Sequence, residues 1–305
     1  MTVTRPSAAQ IEERLERHRL WLDKAEGGVR ADFDGLTLTD LRLDGADLRQ
    51  ALLRNAVFLE SSFCGANLSG ADLSGTDLRK VDLRDADLSG AVLTEVKLQH
   101  AWLSGANLSE SKIFRADFEK ANLRDSRIFD SQLNNCNFNG ANLSGASFNH
   151  SRLFDCSLAD AEIAGAKFLR ARLESCRLNR VHGESPDFSW VQARDADFSG
   201  AQIDSAKFYQ AKLSRVNFYR ASLTGCIFVE SNLSFADFSL TTLTDSRFAG
   251  ADLQSADLTS AMLRGAREMS AKQLSLARTA GRTTLPNGSA GPYLKGSGSE
   301  RQIPR

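Results

Sequence analysis

No segment of the 305 residues is apolar and uncharged for long enough to cross a membrane, and residues 1 to 30 contain no apolar run of signal-peptide length. The expectation is a cytoplasmic protein with no membrane partner. Net charge is missing too: 38 Lys and Arg balance 38 Asp and Glu, so bulk electrostatics excludes direct nucleic-acid binding. The chain has no CxxC, clustered His, P-loop, G-x-G-x-x-G or Ser/His/Asp grouping. Catalytic residues, cofactors and metals are therefore all expected to be absent, and the protein is not expected to be an enzyme.

Cysteine is sparse as well. Cys136, Cys156 and Cys176 are twenty residues apart and Cys226 shares their repeat position, where Ala and Ser interchange with Cys, while Cys64 lies outside it. They read as small core residues in a reducing compartment. The N-L-S triplets at Asn67, Asn107, Asn142 and Asn232 match a glycosylation acceptor only because a repeat generates them.

What the chain has in abundance is one pattern. The stretch GANLSGADLSGTDLRKVDLRDADLSGAVL, residues 65 to 93, repeats every five residues, which is neither the helical nor the strand period. With the large apolar residue called position i, residues 31 to 265 form 47 units without insertion, and 45 of them carry Leu, Phe or Ile at i. Gly183 and Ala193 are the exceptions. Position i−2 is nearly always small, with Leu36, Leu41 and Pro186 as outliers. Both positions face inward, whereas Asp or Asn at i−1, Ser or Arg at i+1 and frequent Gly at i+2 suit solvent and a tight corner. A corner every five residues closes a square in twenty.

The pattern resembles the pentapeptide repeat family, A(D/N)LXX. That resemblance implies an all-β fold, a right-handed quadrilateral parallel β-helix. At about 4.8 Å per coil it would hold roughly twelve coils in a solenoid on the order of 55 to 60 Å long. From Phe188 to Phe248 a Phe falls at every tenth residue, which places Phe on opposite walls of the square as a packing rule.

Three regions follow: an N-terminal helical cap over 1–30, the repeat β-helix over 31–265, and a C-terminal cap helix with a flexible tail over 266–305. Residues 7 to 28 read as a helix opened by a capping box at Ser7 and Gln10 and stopped by Gly27 and Gly28. The string HRLWLDKAEGGVRAD is similar to a lead-in, and GRTTLPNGSAGPYL to a C-terminal signature, of one group of bacterial family members. His18, alone on a capping helix, is read as structural. EMSAKQLSLARTA reads as a short helix and KGSGSERQIPR as the tail.

The interior irregularity is VHGESPDFSWVQARD, residues 181 to 195, where Gly183 and Ala193 remove bulk from two opposite walls and Pro186 replaces the small residue between them. Trp190 is expected to turn inward and fill the lost volume, the alternative being a local bulge that shapes a binding surface. Large apolar residues also stand at the outward position i+1: Phe114, Phe129, Phe154, Leu169 and Tyr209. Phe129, Leu169 and Tyr209 are forty residues apart and are expected to rise along one wall, with Phe114 and Phe154 on the neighbouring wall and Trp190 at the corner between. Such a stripe has the composition of a protein interface.

The leading functional expectation is a non-enzymatic protein-binding or scaffold protein acting through this stripe, on a protein partner or on a second copy as a homodimer. Family resemblance implies an alternative: imitation of DNA to bind a type II topoisomerase such as gyrase and protect it from quinolones or toxins. The balanced charge and the absence of projecting loops weigh against that role, and the acidic residues before residue 90 weigh for it. A secreted bacterial effector is a third possibility. β-Helix lyases and hydrolases place carboxylates in a groove walled by long loops, which this chain has no insertions to build.

Overall fold

The computed structural model describes residues 6–301. Residues 1–5 of the expected N-terminal cap and 302–305 of the expected tail lie outside the described residues. The chain divides into two compact units, Met1–Ser147 and Phe148–Arg305.

Each unit is a parallel β-solenoid with the same register. Residues at i−1 bridge to the residue twenty places on, as in Asp32↔Leu52 and Leu52↔Asp72 of the first unit and Arg177↔Asp197 and Asp197↔Asn217 of the second. Twenty residues are four repeats, so each coil has four sides. The ladder alternates direction: Leu53 N donates forward to Asp72 O at 2.8 Å, and Asp72 N donates back to Ala51 O at 3.0 Å. In five of the coils the pairing on one side extends to three residues. These strands are β1 (Val92–Thr94), β2 (Lys112–Phe114) and β3 (Gln132–Asn134) in the first unit, and β4 (Arg152–Phe154) and β5 (Arg172–Glu174) in the second.

The corners explain the outward positions. A turn bond closes most of them, as from Ala56 N to Leu53 O at 3.2 Å. Position i+2 is left-handed in every unit from Gly35 to Gly265, with φ between 50° and 75°. Only 14 of these 47 residues are Gly, and none is Val, Ile or Thr, the residues for which that conformation is most strained. Asp or Asn at i−1 is not there merely for solubility. Its side chain accepts the backbone N–H two residues on, at 3.0 Å in both Asp72–Ser74 and Asp87–Ser89, an Asx turn that organises the corner.

The interior is filled as the period requires. Large residues at i are buried, Gly183 being half-buried and small Ala193 fully so. Ser, Thr and Cys at i−2 donate to the carbonyl twenty-three residues earlier: Ser111 Oγ to Leu88 O at 2.9 Å, Thr76 Oγ1 to Leu53 O at 2.7 Å, Cys136 Sγ to Ile113 O at 3.2 Å and Cys226 Sγ to Ile203 O at 3.3 Å. In the second unit Phe148, Phe168, Phe188, Phe208, Phe228 and Phe248 stack with centroids 4.8 to 5.2 Å apart. Phe198, Phe218 and Phe238 stack on the facing wall at 5.2 and 5.1 Å. Ring spacing here is set by the strand separation of about 4.8 Å.

Both ends are capped. Helix α1 (Ala8–Leu22) opens with the expected capping box, Gln10 N to Ser7 Oγ at 3.3 Å and Ser7 N to Gln10 Oε1 at 2.8 Å. Fully buried His18 accepts the Ala31 N–H on Nδ1 at 3.0 Å and stacks on Trp21, so the helix satisfies a first-coil donor that has no earlier coil to pair with. Gly28 crosses the helix end so closely that a Cβ would lie 2.4 Å from Trp21 N. Helix α2 (Ala271–Leu276) has a second capping box, and Gln273 Nε2 donates to Phe248 O at 2.7 Å and Ala251 O at 2.8 Å. Beyond it Thr284 continues the ladder opposite Met262, and Asn287 N reaches Ser299 O at 3.3 Å.

The irregular coil corrects the expectation for Trp190. Trp190 does not fill the core: it is 38% exposed, at a corner with φ 55°. The register across the segment is unchanged, His182↔Gln202 and Asp187↔Lys207 both spanning twenty residues, so no bulge forms. Instead the backbone moves into the space. At Gly183, φ 132°, a Cβ would lie 2.4 Å from Ala164 N and 2.7 Å from its Cα.

Candidate protein-binding site

A residue at i+2 projects from the corner because the left-handed backbone turns its side chain away from the core. In the second unit one corner column contains Arg170, Trp190, Gln210 and Glu230, each twenty residues from the next. Trp190 Nε1 donates to Gln210 Oε1 at 2.6 Å, and Gln210 Nε2 donates to Glu230 Oε2. The Arg170 guanidinium lies 5.6 Å from the centroid of the indole, and Tyr209 meets it edge-on at 5.2 Å. The indole is thus half in water yet held on three sides.

The structure gathers some of the anticipated residues and separates others. Trp190 and Tyr209 touch, and half-buried Leu169 precedes Arg170 on the same wall. Phe154, 44% exposed at the end of β4, pairs in register with Glu174 of β5 on the next wall. Phe114 and Phe129 belong to the first unit and are half-buried; Phe114 stands in register between Thr94 and Asn134.

Several exposed hydrophobes escaped the sequence reading. Phe235 (59% exposed) and Leu240 (47%) occupy i+2, while Trp102 (51%) and Met262 (50%) occupy i−1. The signal was available, since i−1 and i+2 face outward as i+1 does, and Trp190 itself stands at i+2.

The acidic coils before residue 90 are neutralised in part. In D-L-R units Arg49, Arg79 and Arg84 clamp Asp47, Asp77 and Asp82 at 2.6, 2.7 and 2.6 Å, and Arg54 reaches Asp34 at 3.0 Å. The Arg84 hydrogen bond holds the Asp82 carboxyl below the usual carboxylate range, as Arg49 does for Asp47. For Asp77, burial pushes upward, and the Arg79 side chain and backbone together outweigh it. The groups most able to do chemistry are likewise occupied. Burial pushes the Cys226 thiol far up, burial also keeps His18 neutral by lowering its pKa, and the described residues contain no cluster able to hold a metal ion. No helix among them is long and apolar enough to cross a membrane.

Four-sided coils of five-residue sides, with small and large residues alternating inside, define a pentapeptide solenoid. Family models agree: pentapeptide repeats match over 31–70, 56–94, 71–109 and 91–128, and the pentapeptide repeat region over 126–208 and 201–267. The chain belongs to the pentapeptide repeat family. Similar solved structures include HetL, involved in heterocyst differentiation regulation in the cyanobacterium Nostoc sp. strain PCC 7120, with 23% identity over 94% of this chain and 100% of that one at TM-score 0.30. A pentapeptide repeat protein of the Arabidopsis thaliana thylakoid lumen shares 38% identity over 31% of this chain and 69% of its own, TM-score 0.26. Trypsin-treated QnrB1, a plasmid-mediated fluoroquinolone resistance protein, shares 21% over 70% and 91%, TM-score 0.26. No curated protein sequence matches the chain.

Proposed function

We propose that this chain is a non-enzymatic, protein-binding scaffold that presents the Trp190 corner of its second unit, with Leu169, Tyr209 and Phe154, to a protein partner in a reducing, cytoplasmic setting. The observation that carries this reading is the state of Trp190. A large apolar side chain sits in a left-handed corner at φ 55°, strained by about 1–3 kcal/mol, and is fixed half-exposed by Arg170, Tyr209 and Gln210. A pre-ordered Trp flanked by Tyr and Arg loses little conformational entropy on binding and has the composition of an interface hot spot. On the first unit, taken by itself, half-buried Phe114 and Phe129 are apolar contacts of their own. A non-enzymatic role is supported by the occupation of the buried thiols, His18 and the Asx carboxylates in holding the solenoid together.

Imitation of DNA before a type II topoisomerase finds less support, because the Arg clamps on Asp47, Asp77 and Asp82 reduce the unpaired negative charge it needs and the whole chain carries no net charge. The discriminating experiment is affinity capture from lysate of the source organism, with wild type beside the folded triple variant Phe154→Glu, Trp190→Glu, Tyr209→Glu. The corner reading expects a partner held by wild type and lost by the variant. Gyrase or topoisomerase IV subunits held equally by both would transfer the function to the acidic coils.

A further inference from the structure

We infer that the partner surface taken by the Trp190 corner is an acidic segment of a protein. This rests on the docking reading above and adds the chemistry of the partner. Lys167 and Lys207 stand on the side of the coil that ends at the Trp190 corner, and Arg172 and Lys212 on the side that begins there. All four are exposed, as is Arg170 at the corner itself. Among the described residues none of these five cations makes an ion pair, although Arg180, Arg194, Arg215 and Arg247 of the same unit each do.

Nearby acids cancel them only in part. Asp187 lies between Lys167 and Lys207 in the ladder, its Oδ1 accepting the Ser189 N–H at 2.9 Å. Glu230 accepts from Gln210, and Glu174 lies at the far end of β5 from Arg172. Five unpaired cations against three acids leave this corner positive. Of the opposite sides of the same coils, one carries Glu184 and Asp204 with no Lys or Arg, and the other carries Asp197 beside Arg177, Arg180 and Arg220. On each flank of the corner the two lysines, or the arginine and lysine, are two coils apart, about 9.6 Å. An acidic segment lying along the corner would meet charge on both flanks and the indole between them.

Nucleic acid, the other polyanion, fits less well. Base stacking needs an open aromatic face, whereas the indole has Arg170 over it at 5.6 Å, Tyr209 against it at 5.2 Å and its N–H taken by Gln210.

The test measures binding of a labelled oligoglutamate peptide to the full chain by fluorescence anisotropy at low salt. It compares wild type with the triple variant Lys167→Glu, Lys207→Glu, Lys212→Glu and with a control triple on the other sides, Arg177→Glu, Arg220→Glu, Arg264→Glu, which changes net charge equally. The inference expects salt-sensitive binding that falls about tenfold or more in the corner triple and less than about twofold in the control. Equal losses in the two triples, no binding by wild type, or displacement of the peptide by oligothymidylate at lower concentration would each overturn it. A corner that loses its captured protein on aromatic substitution yet ignores oligoglutamate keeps the docking reading and ends the acidic-partner inference.

Discussion

Every fifth residue of this solenoid must hold a left-handed backbone, and that demand reaches each side chain at i+2. Phe235, at φ 59° and 59% exposed, contributes little burial to offset its strain. Phe235→Gly is expected to raise stability by about 1 kcal/mol, and Phe235→Val to lower it by about the same or more, measured by denaturant unfolding. The buried positions behave in the opposite sense. Leu123, fully buried at i, should cost about 2–5 kcal/mol on truncation to Ala through lost burial and a cavity. Asp87→Ala removes only an Asx bond and the contact with Asn107, both at 3.0 Å, and should cost about 1 kcal/mol. Equal melting shifts for those two variants would contradict the inward assignment of i.

At the scale of the element, the N-terminal cap depends on a neutral His18. Burial lowers its pKa most, opposed by the Arg49 carbonyl and the Asp47 charge and assisted by the nearby Arg30 and Arg49 charges. A folded value depressed below the ordinary 6.5 means that this stabilisation is complete above about pH 6.5 and is lost as pH falls through the lower folded value. Protonation also removes the Nδ1 acceptor used by Ala31. With Trp102 and Trp190 replaced by Phe, emission from Trp21, which stacks on His18 at 5.5 Å, should change on acidification below about pH 6.5. His18→Ala should abolish that pH dependence.

The elements also show how far the sequence could be read. The square, its register and both caps were legible because size alternates at i and i−2 without interruption and both helix starts carry a Ser-x-x-Gln box. Trp190 was misread because lost volume at Gly183 and Ala193 was assigned to the nearest large side chain. The left-handed backbone at position 190 forbids that, and the close approach of Gly183 to Ala164 makes it unnecessary. The aromatic stripe was half legible: spacing placed Tyr209 and Leu169 on a common wall, but contact between Trp190 and Tyr209 depends on side-chain directions that no period specifies. Phe235 and Leu240 at i+2 and Trp102 and Met262 at i−1 were as legible as Trp190, because those positions face outward as i+1 does.

At the scale of the whole molecule, zero net charge conceals an uneven distribution. Before residue 90, Arg clamps Asp34, Asp47, Asp77 and Asp82, while Asp32, Asp40, Asp44, Glu60, Asp85 and Asp87 make no ion pair among the described residues; the cations around Trp190 are left open to solvent. The central claim, a fixed, exposed indole in a positive field, is tested most directly by quenching. With Trp21→Phe and Trp102→Phe leaving Trp190 as the lone emitter, iodide and caesium are titrated separately at low ionic strength. The account predicts emission typical of a partly exposed indole and a quenching constant for iodide well above that for caesium, the gap closing as salt screens the corner. A blue-shifted Trp190 that neither ion reaches, or one quenched better by caesium, would contradict it.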